Sequence, residues 1–155
     1  MINVASCLLL ILALLLVVAA IGDIRTRIIP NRLNAAVALL AIPFWLAMGL
    51  SGQAMLIQVA LACVILAVFA ACFAIGMMGG GDVKLLAALA LWMPLGKMLT
   101  LLMWMALGGG VLTLAMVIAH RLRRRAEAIE IPYGVAIAGA AILLVTNDIL
   151  TNQAA

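Results

Sequence analysis

Long apolar runs alternate with short polar breaks along the whole chain. The runs cover residues 2–22, 33–50, 54–77, 83–93 and 98–119, and a sixth opens at Ile131-Pro132-Tyr133-Gly134 and ends near Asn147-Asp148. A helix needs roughly 20 residues to cross a hydrocarbon core about 30 Å thick. The pattern therefore predicts about six transmembrane helices. The second holds Pro43, which should kink it. The fourth is the short one: a helix from Asp82 to Leu95 reaches only about 21 Å. It either spans with local thinning or burial against its neighbours, or turns back as a re-entrant hairpin.

Charge separates these alternatives. With six spans, Arg25, Arg27, Arg32, Lys84 and the Arg121–Arg125 cluster share one side, and the other side keeps only Lys97. With a re-entrant fourth run the cluster changes side and the asymmetry collapses. The positive-inside rule favours six spans, with both termini outside the cytoplasm. The first run has no Lys or Arg before Arg25, so it reads as a retained span and not as a cleaved signal peptide.

Composition agrees. The chain has 155 residues, 70% hydrophobic and 9% charged, with a mean hydropathy of +1.40. A soluble domain would be about 45–50% apolar and about 25% charged. The expected architecture is one all-α integral membrane domain over residues 1–155. Its net charge of +4 is a topology signal and does not imply a nucleic-acid partner. Cys7, Cys63 and Cys72 form no C-x-x-C pair, and the one histidine, His120, stands alone. These spacings imply no metal site, and free cysteines in apolar runs are expected to be small buried hydrophobes.

Two acids stand out. Asp23 and Asp82 are the only ones in the first 126 positions, and each follows a long apolar run. Counting spans places both at the same membrane face, at or near the cytoplasmic end of an inward-running helix. A carboxylate at the bilayer centre costs about 2.5–3.5 kcal/mol, less near the interface. Singly, each has a structural reading: Asp82 as the N-cap of the fourth helix, Asp23 as an i, i+4 partner of Arg27. The glycines shift that balance. Gly79, Gly80 and Gly81 precede Asp82, and each weakens a helix by about 1 kcal/mol relative to Ala. An unwound segment there would let an extended peptide lie beside the acid. Two carboxylates in one site titrate as a coupled unit, one serving as base on a water and the other as acid to a carbonyl oxygen. That chemistry needs no cofactor.

Gly79-Gly80-Gly81-Asp82 is similar to the G-x-G-D signature of intramembrane aspartic proteases. Val83-Lys84-Leu85-Leu86-Ala87-Ala88, with Asp23 to Arg27 and Ile29-Pro30-Asn31, resembles the type IV prepilin peptidase branch of that group. The resemblance implies an aspartic endopeptidase of the bacterial inner membrane. It would remove the basic leader from prepilins or pseudopilins at the cytoplasmic face, ahead of their hydrophobic stem helix. Asp23 and Asp82 would be the catalytic pair. Starting at its first span and lacking C-x-x-C, the chain resembles the short branch of tight-adherence (Flp-type) pili, without the methyltransferase region. The bilayer and the prepilin are the expected partners, with pilus assembly machinery a further one.

Arg25 and Lys84 lie close to the acids, as tuning groups, contacts for an acidic substrate residue, or topology anchors. Pro30 and Asn31 shape the start of the second helix, and Asn31 is a candidate hydrogen-bond partner of the acids. The competing readings are a small ion or proton transporter that binds ions at the two acids, and a non-catalytic pilus-assembly scaffold packed through its glycines.

Overall fold

A computed structural model describes residues 3–123 and 133–154. Among them the chain forms six helices: α1 (Val4–Thr26), α2 (Asn31–Ala47), α3 (Gly52–Ala74), α4 (Gly80–Ala90), α5 (Leu95–Arg123) and α6 (Tyr133–Ala154). The all-helical expectation holds. The ends differ in detail: α3 stops at Ala74, short of Met77, and α6 runs past Asp148. Asn3 caps α1 by accepting from the Ser6 amide at 2.8 Å, and Ser51 caps α3 through Ala54. The side chains of the basic cluster His120–Arg125, and Ile131-Pro132, lie outside the described residues.

α1, α3, α5 and α6 are each long and apolar enough to cross a membrane. Their outward faces are apolar: Leu14, Leu56 and Val111 expose about two thirds of their surface or more. Such a surface suits lipid and not water. The same inversion overturns the cysteine expectation: Cys7 and Cys63 are exposed and Cys72 is half-buried. In a bilayer a small apolar side chain has no need to hide.

α4 is the centre of the molecule. It packs on α2, α3, α5 and α6, and Leu85, Leu86 and Leu89 are fully buried. At 11 residues it covers only about 16 Å, half of the hydrocarbon core. Non-helical residues 75–79 and 91–94 complete its path. Irregular backbone at membrane depth is tolerated where protein buries it and pairs its polar groups. Two tryptophans tie residues 91–94 to α2. Trp45 of α2 donates to the Leu91 carbonyl at 2.7 Å, just past the end of α4. Trp92 donates to the Val37 carbonyl at 2.9 Å and stacks obliquely on Phe44, ring centres 4.9 Å apart. Both are core residues, whereas Trp104 is about half exposed. At the same end of the bundle Lys97 forms an ion pair with Asp148.

Trp45→Phe keeps the ring and removes the donor. It leaves the Leu91 carbonyl unpaired, at a cost of about 1–3 kcal/mol. A lower unfolding midpoint in a detergent titration, with the protein still inserted in the membrane, is the expected result.

Candidate active site

The end of the bundle opposite Lys97 and Asp148 carries Asp23 and Asp82. On α1 the buried positions Leu12, Leu16, Ala19 and Asp23 follow one helix face at spacings of four, three and four. Asp23 is thus the last member of the apolar stripe that packs on α6, and it is 5% exposed. The Val135 amide donates to its Oδ2 at 3.1 Å, with the Gly134 amide beside it. Both belong to the first turn of α6, where free N–H groups and the helix dipole favour an anion.

α1 ends one turn beyond Asp23. Arg27 turns the chain with a left-handed backbone (φ 56°), and its amide returns to the Asp23 carbonyl at 3.0 Å. The helix does not continue through Arg27, so no i, i+4 ion pair forms, although its charge still acts on Asp23. The chain then passes through Ile28 and Ile29 to Pro30, the N-cap of α2. Ile29 is buried between two glycines. A Cβ on Gly81 would lie 3.1 Å from Ile29 Cβ and 3.2 Å from its carbonyl oxygen. A Cβ on Gly134 would lie 2.9 Å from Ile29 Cδ1 and 2.8 Å from Asp23 Oδ2. One loop residue thereby draws the ends of α1, α4 and α6 together.

Asp82 is the third residue of α4 and is 8% exposed. It is not the N-cap; Gly79 takes that place. The Asp82 carboxylate folds back over Gly79, where a Cβ would meet Oδ2 at 2.9 Å. Gly80 lies under the Phe73 ring, which a Cβ would meet at 3.3 Å. The unwound stretch is residues 75–79; Gly80 and Gly81 are already helical. Asp82 Oδ1 is buried and has no hydrogen-bond partner among the described residues. Asp23 is close enough for its charge to act on Asp82.

The remaining predicted residues separate. Asn31 does not reach the acids: its Oδ1 accepts from Lys84 Nζ at 2.8 Å, tying the start of α2 to α4. Arg25 is exposed in the last turn of α1 and makes no hydrogen bond or ion pair among the described residues. Two residues at the site escaped the sequence reading. Asn34, 5% exposed, donates from Nδ2 to the Gly81 carbonyl at 3.1 Å. Gly134 receives Asp23. A polar residue three positions after Asn31 in an apolar run was the one available signal for Asn34. Nothing local marked Gly134.

Residues 10–114 match the sequence model of the type IV leader peptidase family, a stretch that holds both aspartates and the glycine motif. The chain belongs to the type IV leader peptidase family. It is accordingly a multi-pass membrane peptidase acting on prepilin-type substrates. No curated relative and no solved structure matches the chain. Gly134 lies beyond the matched stretch, so its place beside Asp23 comes from the fold alone.

Gly134→Ala drives a methyl group into the Asp23 carboxylate. For an Asp23 that acts on the substrate, a displacement of about 1 Å would lower turnover on the order of 100-fold. Gly139→Ala, where a Cβ meets nothing within 4 Å, is the matched control and retains the wild-type rate. Leader removal from a co-expressed prepilin, read by mass, checks both.

Proposed function

We propose that Asp23 and Asp82 form the catalytic pair of a prepilin leader peptidase working at the cytoplasmic face of the inner membrane. The observation that supports this reading is that two buried carboxylates lie at the same end of an apolar bundle, on helix ends that pack on one loop residue, Ile29, and that one of them has an oxygen without a partner among the described residues. Burying polar atoms without partners costs about 1–3 kcal/mol each, and a purely structural role would have paired Asp82 Oδ1. The family's activity supplies the reason it is free.

The hydrolysis then runs between the two acids. One carboxylate takes a proton from water as the water oxygen adds to the scissile carbonyl carbon. The other, protonated, gives its proton to the carbonyl oxygen, forming a tetrahedral diol. Collapse of the diol returns a proton to the amide nitrogen and breaks the C–N bond. The products are the leader's new carboxylate and the stem's new amine. Two acids that share protons in this way act as a unit.

The other motif residues shape this site. Gly79 admits the Asp82 carboxylate over its backbone, Gly80 accepts the Phe73 ring, and Gly81 accepts Ile29. Pro30 and Asn31 start α2, and Lys84 fixes that start to α4. Arg25 borders the site as a surface charge that holds this end in the cytoplasmic interface.

Asp23→Asn and Asp82→Asn each remove an ionisable group while keeping shape. Each should lower leader removal from an Flp-type prepilin on the order of 1,000-fold, with membrane levels unchanged. A wild-type rate from either variant would sink the paired mechanism.

A further inference from the structure

α2 and α3 are joined by only residues 48–51, yet they scarcely touch along their lengths. α4 packs on both and forms the floor between them. The result is an open groove of about 470 Å³ on the outer face of the bundle. Its walls are mostly small: Ala35 and Ala38 from α2, Ala62 and Cys63 from α3 with Leu66 beyond them, Ala87 and Ala88 from α4. Its floor runs from Lys84 to Leu91, two turns or about 10 Å. Lys84, Asn31 and Asn34 gather at the end nearer the aspartates.

Small side chains on a lipid-facing surface let a second helix approach closely. They do not by themselves name an occupant. Asn34 does. It is 95% buried, since only 5% is exposed, and its amide nitrogen is spent on Gly81. Its Oδ1 is buried with no donor among the described residues. A lipid acyl chain offers no donor for that oxygen. A peptide does: the first amides of a helix are free of internal partners. The Lys84 ammonium at the same end adds a site for a carboxylate or carbonyl of the arriving chain.

We infer that the α2–α3–α4 groove holds the hydrophobic stem helix of the peptidase substrate, its N-terminal end at Asn34 and Lys84. This rests on the peptidase reading above and adds where the substrate lies. The geometry has a further consequence. Asp82 and Lys84 are two residues apart on α4, about 200° around the helix. The stem and the scissile bond therefore lie on opposite sides of the α4 N-terminus. The chain between them must cross about 10 Å in extended form, a distance of three residues. The scissile bond thus sits about one helical turn ahead of the docked stem.

Cys63 is a native, exposed thiol in the α3 wall, and Cys7 is an exposed thiol on another helix. In membranes, Asp82→Asn protein is mixed with prepilins carrying one cysteine stepped along the stem, and a short bismaleimide is added. In parallel, wild-type protein and Ala35→Phe are assayed for leader removal from the unmodified prepilin. The expected result is cross-linking at stem positions three to four residues apart, abolished by Cys63→Ser and kept in Cys7→Ser. Ala35→Phe, which fills an exposed position of the groove, should lower cleavage at least tenfold. If wild type cleaves normally, Cys63 cross-links to no stem position and Ala35→Phe cleaves at the wild-type rate, the groove is not the stem site and belongs to lipid. If wild type cleaves no prepilin, the peptidase reading itself fails, and the groove inference with it.

Discussion

Ile29 is the residue on which the rest of the site depends. Its side chain and backbone fill the narrow gap between Gly81 and Gly134, and its burial holds the ends of three helices at contact distance. Without a Cβ on either glycine, α4 and α6 close on the loop, and Asp23 reaches the first amides of α6. Packing at this density leaves little slack: an added methyl meets the Ile29 Cβ and carbonyl oxygen at Gly81, and the Asp23 carboxylate and the tip of Ile29 at Gly134. Two acids are thereby fixed in a region where each alone would be costly to bury.

The short α4 follows from the same constraint. A full spanning helix in that position would carry Asp82 beyond Asp23 or bury more of the glycine segment in regular helix. A helix of 11 residues with non-helical ends places Asp82 at its first turn and leaves residues 75–79 unwound beside it. The cost is irregular backbone at both ends of α4, where carbonyls lose their regular helical partners. Trp45 offsets part of it by capping the Leu91 carbonyl, and Trp92 ties the following turn to α2. The aromatic pair at one end of α4 and the acid at the other are parts of one solution.

Much of this was legible in the residues. Six apolar runs gave six helices, and counting them brought Asp23 and Asp82 to one end of the bundle. The glycine motif beside an acid pointed to the family. What stayed hidden was which side of each helix faces inward. In α1 and α3 almost every residue is apolar, so no face contrasts with another, and lipid accepts what water would reject. Asn34 and Gly134 could be placed only once the faces were known. The same ambiguity hides that Cys7 and Cys63 face outward and that Asn31 serves Lys84 instead of an aspartate. The helix cap was misassigned for a different reason: Gly79 and Asp82 are both compatible with an N-terminus, and only the backbone shows which residue begins the turn.

The account stands on Asp23 and Asp82 behaving as one electrostatic unit. The most direct measurement is a titration of the two carboxyl carbons by NMR in lipid, using carbon-13 aspartate, on wild type and on Asp82→Asn. Coupled groups shift each other's midpoints, whereas independent groups do not. Removing the Asp82 charge should displace the Asp23 midpoint and replace a two-step curve by a single step. An Asp23 curve identical in both proteins would contradict it.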